Sequence, residues 1–469
     1  MQRVTKSLIA ATIGLVVASC GAGGGQTAGI DRGGIVSGPV TGYGSIWVNG
    51  ERYATDAATI FVNGAEADES DLAVGQVVVL DSLISGTSLS AERIVYESNL
   101  KGPIQSVDAF AGTFMALGQQ VIIDTGTSFG PGIVPADITG LAPNDIVEVS
   151  GLVDTAGRIR ATRIEKEDAP DEVQLTGVVS ALVNGISFNI GAQVVDYSNA
   201  TMIDGFSPAG IIVNGDRVRV IGSGFINSGE LPAIIATTVA NRGLLAVTDD
   251  GEDGDIEGLI TDFSSPSSFR LAGFSVLTNG QTEYSGGTEI DLDNDIRIEA
   301  EGRFDPTGIL VADKIEFREE GESRIEATVD SKDAANNTVT VFGIKVATTP
   351  LTRIEDKRDE IRPFGIGNLE PGDFLKVEGS WDGAKVVATR LERLEGEDKY
   401  KLRGLLTSVS DPQFNVLGLN VVTDVSTNFE ADATAFFAAA VACVPECQVE
   451  VAWPASGPYQ IAGDVELDD

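Results

Sequence analysis

Short runs of alternating apolar and polar residues recur along the chain. Val147-Glu148-Val149, Val218-Arg219-Val220, Ile296-Arg297-Ile298 and Leu375-Lys376-Val377 are examples, each just after a turn pair such as Asn144-Asp145 or Gly372-Asp373. A period of two marks a strand with one buried face. These runs mostly continue into Gly151, Gly222, Gly302 or Gly379. Upstream of each stands an apolar run ending in glycine, at 46–50, 114–118, 188–191, 269–273, 339–343 and 414–418. A second run follows at once, such as Val194-Val195-Asp196 or Val421-Val422-Thr423-Asp424. Two such runs around a glycine predict a β-hairpin.

The pattern is stated six times. Each passage opens on a phrase of the form G-x-V: Gly38-Pro39-Val40, Gly102-Pro103-Ile104, Gly177-Val178-Val179, Gly258-Leu259-Ile260, Ala327-Thr328-Val329 and Gly404-Leu405-Leu406. The starts lie 64, 75, 81, 69 and 77 residues apart. Repetition at that spacing indicates an array of small units. Each unit carries a threonine two residues before an apolar or aromatic one: Thr59/Phe61, Thr127/Phe129, Thr201/Ile203, Thr282/Tyr284, Thr352/Ile354 and Thr427/Phe429. The apolar member reads as core and the threonine as a local hydroxyl-to-backbone tie. Each unit closes on a strand with alanine three residues before an aliphatic, as in Ala161/Ile164 and Ala388/Leu391. The charged residues between the apolar ones of these strands read as the polar face. In the last copy the variable connection is alanine-rich at 431–442, a composition that favours helix.

The order is strand, strand, strand, connection or helix, strand, strand. That is the element order of an OB-like barrel, and closing a small sheet on itself removes sticky edges. The expectation is an all-β chain of six tandem small five-stranded OB-like β-barrels after a lipoprotein signal peptide. An SH3-like barrel or one continuous twisted sheet gives a similar pattern. The expected divisions are a signal peptide at 1–19, a flexible tether at 20–33, and repeats at 34–100, 101–170, 171–247, 248–321, 322–395 and 396–469. Acidic stretches at 165–171, 248–255, 319–322 and 395–398 read as linkers. Units this small gain stability by packing against neighbours.

The first residues carry a different message. Arg3 and Lys6 precede an apolar stretch at 8–17 that is too short to span a bilayer as a helix. Val17-Ala18-Ser19-Cys20 resembles the lipobox of bacterial lipoproteins. The resemblance implies cleavage before Cys20 and acylation of that cysteine. Stable anchoring needs two or more chains, at about 0.8 kcal/mol per buried methylene. Gly21 follows Cys20 where aspartate would favour inner-membrane retention, so the expected location is the outer membrane, periplasmic or surface-exposed. An ordinary secretory signal is the rival reading. The repeated G-x-V, F-x-V-x-G, T-x-F, G-D-x-V-x-V-x-G and A-x-x-I motifs behind a lipobox resemble a bacterial exported family of domains of unknown function, of the DUF5666 type. The first copy departs at Gln76, the last at Cys447, and the fifth opens on Ala327. The resemblance implies a fold and a location, and it offers no catalytic residues to carry over.

Composition narrows the chemistry. The chain has no histidine, which removes Ser-His-Asp and Cys-His systems and most zinc sites. Its net charge of −38 becomes −40 once Arg3 and Lys6 leave with the signal peptide. Such a surface repels phosphate and anionic headgroups, so no nucleic-acid partner is expected. The expected partners are the membrane, through the lipid anchor, and an envelope protein or polysaccharide. Cys443 and Cys447 remain beside Cys20; an even pair in an oxidising compartment predicts a disulfide, with a metal or redox pair as the alternative.

No motif identifies an active site. Gly21-Ala22-Gly23-Gly24-Gly25 and Gly365-Ile366-Gly367 lack the following helix that a phosphate loop needs. Ser98-Asn99-Leu100-Lys101 matches S-x-x-K by spacing alone. The acidic run at 249–255 fails the EF-hand pattern at a ligand position, Gly251, and at the final glutamate, Ile260; the run at 291–295 fails at the glycine, Ile296, and at the final glutamate, Gly302. Trp47, Trp381 and Trp453 lie in or beside predicted strands and read as buried rather than as a sugar platform. No catalytic residue, cofactor or metal ligand is assigned. The leading expectation is a non-enzymatic spacer or interaction module. The alternatives are a carbohydrate- or protein-binding lipoprotein and a carboxylate-based enzyme or calcium module.

Overall fold

The computed structural model describes residues 33–468, apart from 44, 86–87, 125, 168–171, 204, 207, 209, 224–232, 243–251, 319–322, 430–431, 445–446 and 456–460. The expected signal peptide, Cys20 and nearly all of the expected tether lie outside the described residues, as do parts of the stretches expected as acidic linkers.

The chain is all-β, with one α-helix among the described residues, and its elements repeat six times. Copy two shows the plan. Its opening strand Leu100–Asp108 pairs antiparallel with Thr113–Ala116, and that strand with Gln119–Ile122. The two hairpin strands meet at Leu117 and Gly118, whose φ values are 46° and 68°. Two consecutive residues at positive φ make the tight turn whose twist suits a hairpin. The same left-handed pair recurs at Asn49-Gly50, Ala272-Gly273, Phe342-Gly343 and Leu417-Gly418. Glycine takes the second place because it carries no Cβ.

A two-residue strand, Ser128–Phe129, follows and pairs parallel with the closing strand Ile159–Glu167. The threonine landmark sits just before it. Thr127 accepts the backbone N–H of Asp124 at 3.1 Å, the expected local tie. Its hydroxyl then donates across the sheet to the carbonyl of Ala161 at 2.7 Å. Thr282 does the same to Ala312, Thr352 to Ala388 and Thr427 to Ala462, at 2.8, 2.6 and 2.8 Å. The threonine and alanine landmarks are therefore two ends of one hydrogen bond. Thr59 and Thr201 are exposed instead.

The fourth main strand, Ile146–Val153, lies between the opening and closing strands and pairs antiparallel with both. Its register slips at Gly151, and the same slip occurs at Gly222, Gly302 and Gly379. A Cβ at Gly302 would stand 2.1 Å from the carbonyl oxygen of Val311, so only glycine fits this bulge. In copy six, Asp432 caps the helix Ala433–Cys443 by accepting the N–H of Ala435. That helix occupies the alanine-rich connection.

Six discrete five-stranded units do not describe the molecule. The short parallel strand adds to the expected five. More importantly, sheets run from copy to copy. Opening strands of copies two and three pair antiparallel, as do those of copies five and six. Copy one pairs not with its sequence neighbour but with copy four, in parallel, over Gly34↔Asp253 to Ser37↔Ile256. The result, among the described residues, is three sheets of 13, 12 and 11 strands. Residues 253–255, part of a stretch expected as a linker, belong to the strand Asp253–Ser265 instead.

The apolar faces follow the same grouping. Copies two and three share one core, and copies five and six share another. Copy one has its own, and copy four has one joined by Ile35. Trp453 is buried, with the Phe342 ring from copy five 4.9 Å away between centroids; Trp47 and Trp381 are half-buried.

Replacing Thr352 by valine removes the buried donor to Ala388 while keeping the shape. The expected loss is about 1–3 kcal/mol in denaturant unfolding, the cost of an orphaned buried polar group. Thr201→Val, at an exposed position, is expected to stay within about 0.5 kcal/mol of the parent.

Candidate functional site

The polar faces of the strands do not simply meet water. Three residues before the bulge glycines stand Glu148, Arg219, Glu299 and Lys376, and all four are buried. The apolar neighbours on either side point into each repeat. The charged residues point outward, and there Glu148 and Arg219 meet copy one, while Glu299 pairs with Arg318 of its own copy.

Glu148 of copy two accepts the hydroxyl of Tyr96 of copy one at 2.9 Å. Asn63 of copy one donates to both of its oxygens at 3.3 Å, and Lys101 lies 3.6 Å away. Burial raises the Glu148 pKa above the ordinary carboxylate range, with Tyr96, Lys101 and Asn63 pulling the other way. Burial and the Glu148 charge likewise push the Tyr96 hydroxyl well above its ordinary value.

Arg163 joins three copies. Its guanidinium donates to the carbonyl of Val74 in copy one at 2.8 Å. It pairs with Glu165 of its own copy at 2.7 Å and with Glu355 of copy five at 3.4 Å. From Glu355 the chain of charges continues through Lys357, Glu392, Arg390, Glu378 and Arg324, with successive distances of 3.9, 2.6, 3.1, 3.4 and 2.9 Å. Lys357 also donates to the carbonyl of Phe129 in copy two at 2.6 Å.

Copy one is the hub of these contacts. Its Glu97 takes Arg219 and Arg242 of copy three at 3.2 and 2.7 Å. Its Asn49 donates to the Asp255 carboxylate of copy four at 2.8 Å. Burial and the nearby Glu301 charge raise the Asp255 pKa well above its usual range. Its Tyr43 ring lies under Arg362 of copy five, 4.5 Å from centroid to guanidinium carbon. Burial raises the Tyr43 hydroxyl to about 12, against the pull of Arg362.

Several residues singled out in the sequence have places here. Cys443 and Cys447 are disulfide-bonded, their Cα atoms 5.5 Å apart. Ser98 is buried and hydrogen-bonded to Asn63 and Gln174, while Lys101 pairs with Glu167 at 2.7 Å. Asp291 caps a 3₁₀ turn from Thr288, and Asp295 accepts the N–H of Thr155 in copy two at 2.7 Å. Among the described residues no three or more Cys, Asp or Glu gather where a metal ion could be held. Cys20 lies outside the described residues.

The ionic seam was missed by reading alternation as one dry face and one wet face. A signal was present: the residue three before each of these glycines is charged, and its sign alternates through Glu148, Arg219, Glu299 and Lys376. A solvent-facing strand position does not require that.

A family model described as a domain of unknown function (DUF5666) matches the chain at residues 33–95, 101–165, 176–234, 257–316, 325–392 and 403–442. No curated protein matches it.

Lys376 gives the seam a pH signature. Burial, with Arg390 and Arg324 adding repulsion, lowers its pKa from 10.5 to about 8, against the pull of Glu392 and Glu378. The folded state therefore releases this proton more readily than the unfolded chain, and stability rises with pH between those two values. Lys376→Met is expected to flatten that rise and to add about 1–3 kcal/mol at pH 7, measured by denaturant titration across the alkaline range.

Proposed function

The chain belongs to the DUF5666 family, six times over, and from that premise we propose that it is a lipid-anchored envelope protein whose repeats form one cohesive, non-catalytic body that acts as a spacer or interaction module. The observation that carries this reading is the seam. The carboxylates and guanidiniums that chemistry would need, among them Glu148, Glu257, Glu378 and Glu392, are engaged in pairing one strand or repeat with another. An exterior rich in carboxylates suits a body standing free in an aqueous compartment. The Cys443–Cys447 disulfide suits an oxidising one. The lipobox-like run ending at Cys20 supplies the anchor, and the first described strand, Gly34–Gly42, starts soon after it. We read each repeat as OB-like. In copies two to five the pairing runs from the opening strand through the hairpin to the closing strand, then through the fourth strand back to the first, and this order supports the reading.

Labelled palmitate fed to cells making the full chain is expected to enter the protein and fractionate with membranes. Cys20→Ser is expected to release it, unlabelled, into the soluble fraction. A parent protein that carries no label and stays soluble would overturn the anchored reading.

A second reading, a protein- or carbohydrate-binding surface, is favoured by copy three. The outward residue of the second hairpin strand is Arg52, Gln120, Ser275, Lys345 or Asn420 in the other copies and Val194 here. Exposed Val178, Val183, Ile186 and Ile235 belong to the same repeat. Apolar side chains gathered on one exposed region mark interaction surfaces. A photo-crosslinking residue at Val194 is expected to form adducts in intact envelopes that the same residue at Asn420 does not. Equal yields at both positions would remove this reading.

A further inference from the structure

Copies two and four line a cavity of about 10 Å³, about the space of one water-sized sphere. Arg160 and Thr162 of copy two and Arg297 of copy four line it, together with Asp124, Gly126 and Leu259. The Arg353 guanidinium of copy five abuts it. Arg353 donates to the carbonyl of Thr162 at 3.3 Å, and a Cβ on Gly126 would lie 3.2 Å from its Nη2.

Arg353 is the unusual member of this group. It is 4% exposed, and among the described residues it has no carboxylate within ion-pair distance. One neutral carbonyl at the long end of hydrogen-bond range serves a group with five N–H donors. Every other buried arginine of the seam has a carboxylate: Arg163 with Glu165, Arg219 with Glu97, Arg390 with Glu378 and Arg393 with Asp356. Asp124 does not fill the gap. Its carboxylate accepts the N–H of Gly126 at 2.7 Å and lies beyond ion-pair distance of Arg353. Glu257 is taken by Arg297 at 2.5 Å. Burial and the Arg297 and Arg390 charges lower the Arg353 pKa to about 10, with Asp124 and Glu257 opposing. A buried guanidinium in that setting lacks a counter-charge, and the space beside it suits a single small ion.

We propose that this junction is an anion site, in which a halide-sized inorganic anion, chloride being the probe, sits against the Arg353 guanidinium and holds copies two, four and five together. Ligand binding to the folded state alone stabilises that state by mass action.

The test uses the full chain, with thermal unfolding in sodium chloride, sodium gluconate and sodium sulfate at matched ionic strength, and chloride line-broadening by ³⁵Cl NMR. The parent is expected to unfold at a higher temperature in chloride than in gluconate and to broaden the chloride signal. Arg353→Met is expected to lose both responses. Gly126→Ala keeps every charge but crowds the cavity, and is expected to lose them too; it decides the matter should Arg353→Met not fold. A parent with equal midpoints in chloride and gluconate and no broadening would overturn the proposal. So would a response retained in the folded variants, or one that sulfate reproduces in an Arg353-dependent way.

Discussion

Arg163 touches a carbonyl of copy one, a carboxylate of its own copy and a carboxylate of copy five. The assembly depends on contacts of this kind, and the constraint behind them is geometric. A strand gives each repeat two faces, and a small repeat can bury only one of them inside itself. The other face becomes the docking surface. In this chain it is charged, so the repeats are joined by ion pairs and hydrogen bonds wherever their sheets do not join. Buried ion pairs contribute little net stability, because desolvation offsets most of their attraction. Breaking one partner is nevertheless costly, since the other is left buried and bare. Such pairs therefore discriminate between arrangements more than they strengthen any one of them.

That distinction matters for six copies with similar interiors. Apolar faces of the same shape would dock in any order. The outward position before the bulge glycine carries Glu148, Arg219, Glu299 and Lys376 in successive copies. Glu148 meets Tyr96 and Asn63 of copy one and Arg219 meets Glu97 of copy one, whereas Glu299 is held by Arg318 of its own copy. A copy set in the wrong place would bring like charges together or bury one alone. Copy one illustrates the outcome. It contacts copies two, three, four and five, each through different residues, and its sheet partner is copy four.

The parts legible in the sequence are those set by local geometry. Hairpins and the alanine-rich helix follow from turn chemistry, periodicity and propensity within a few residues; Gly151, Gly222, Gly302 and Gly379 stood out as recurring glycines, but their role as bulges needed the strand register. The threonine and alanine landmarks were visible separately; that Thr352 reaches Ala388 needed the parallel pairing of Thr352's strand with the closing strand. A two-residue strand such as Ser128–Phe129 has no periodicity to read. The pairing of copy one with copy four was beyond reach for a different reason. Nothing about Gly34 to Ser37 names Asp253 to Ile256 as its partner; only the fit of whole repeats does. The candidate site was missed with it, since links such as Glu148–Tyr96 and Arg163–Glu355 exist only between copies.

The order of pairing also bears on how the chain assembles. Copies two and three are consecutive, as are five and six, so their shared sheets form from neighbouring segments. The sheet of copies one and four closes a far longer loop: Asn49 and Asp255 are 206 residues apart. Loop-closure entropy grows only slowly with length, about 0.6 kcal/mol per doubling, so stability does not forbid it. Folding rate feels such contacts more, because the closure precedes its reward. The pairs two–three and five–six can therefore form as units before copy four meets copy one. The Asn49–Asp255 contact then joins a preformed surface on each side. An asparagine suits that place better than a cation would. Its amide satisfies the carbonyls of Ser37 and Asp255 as well as the carboxylate, at 3.1, 3.2 and 2.8 Å, without adding a charge that must be matched while the junction is still open.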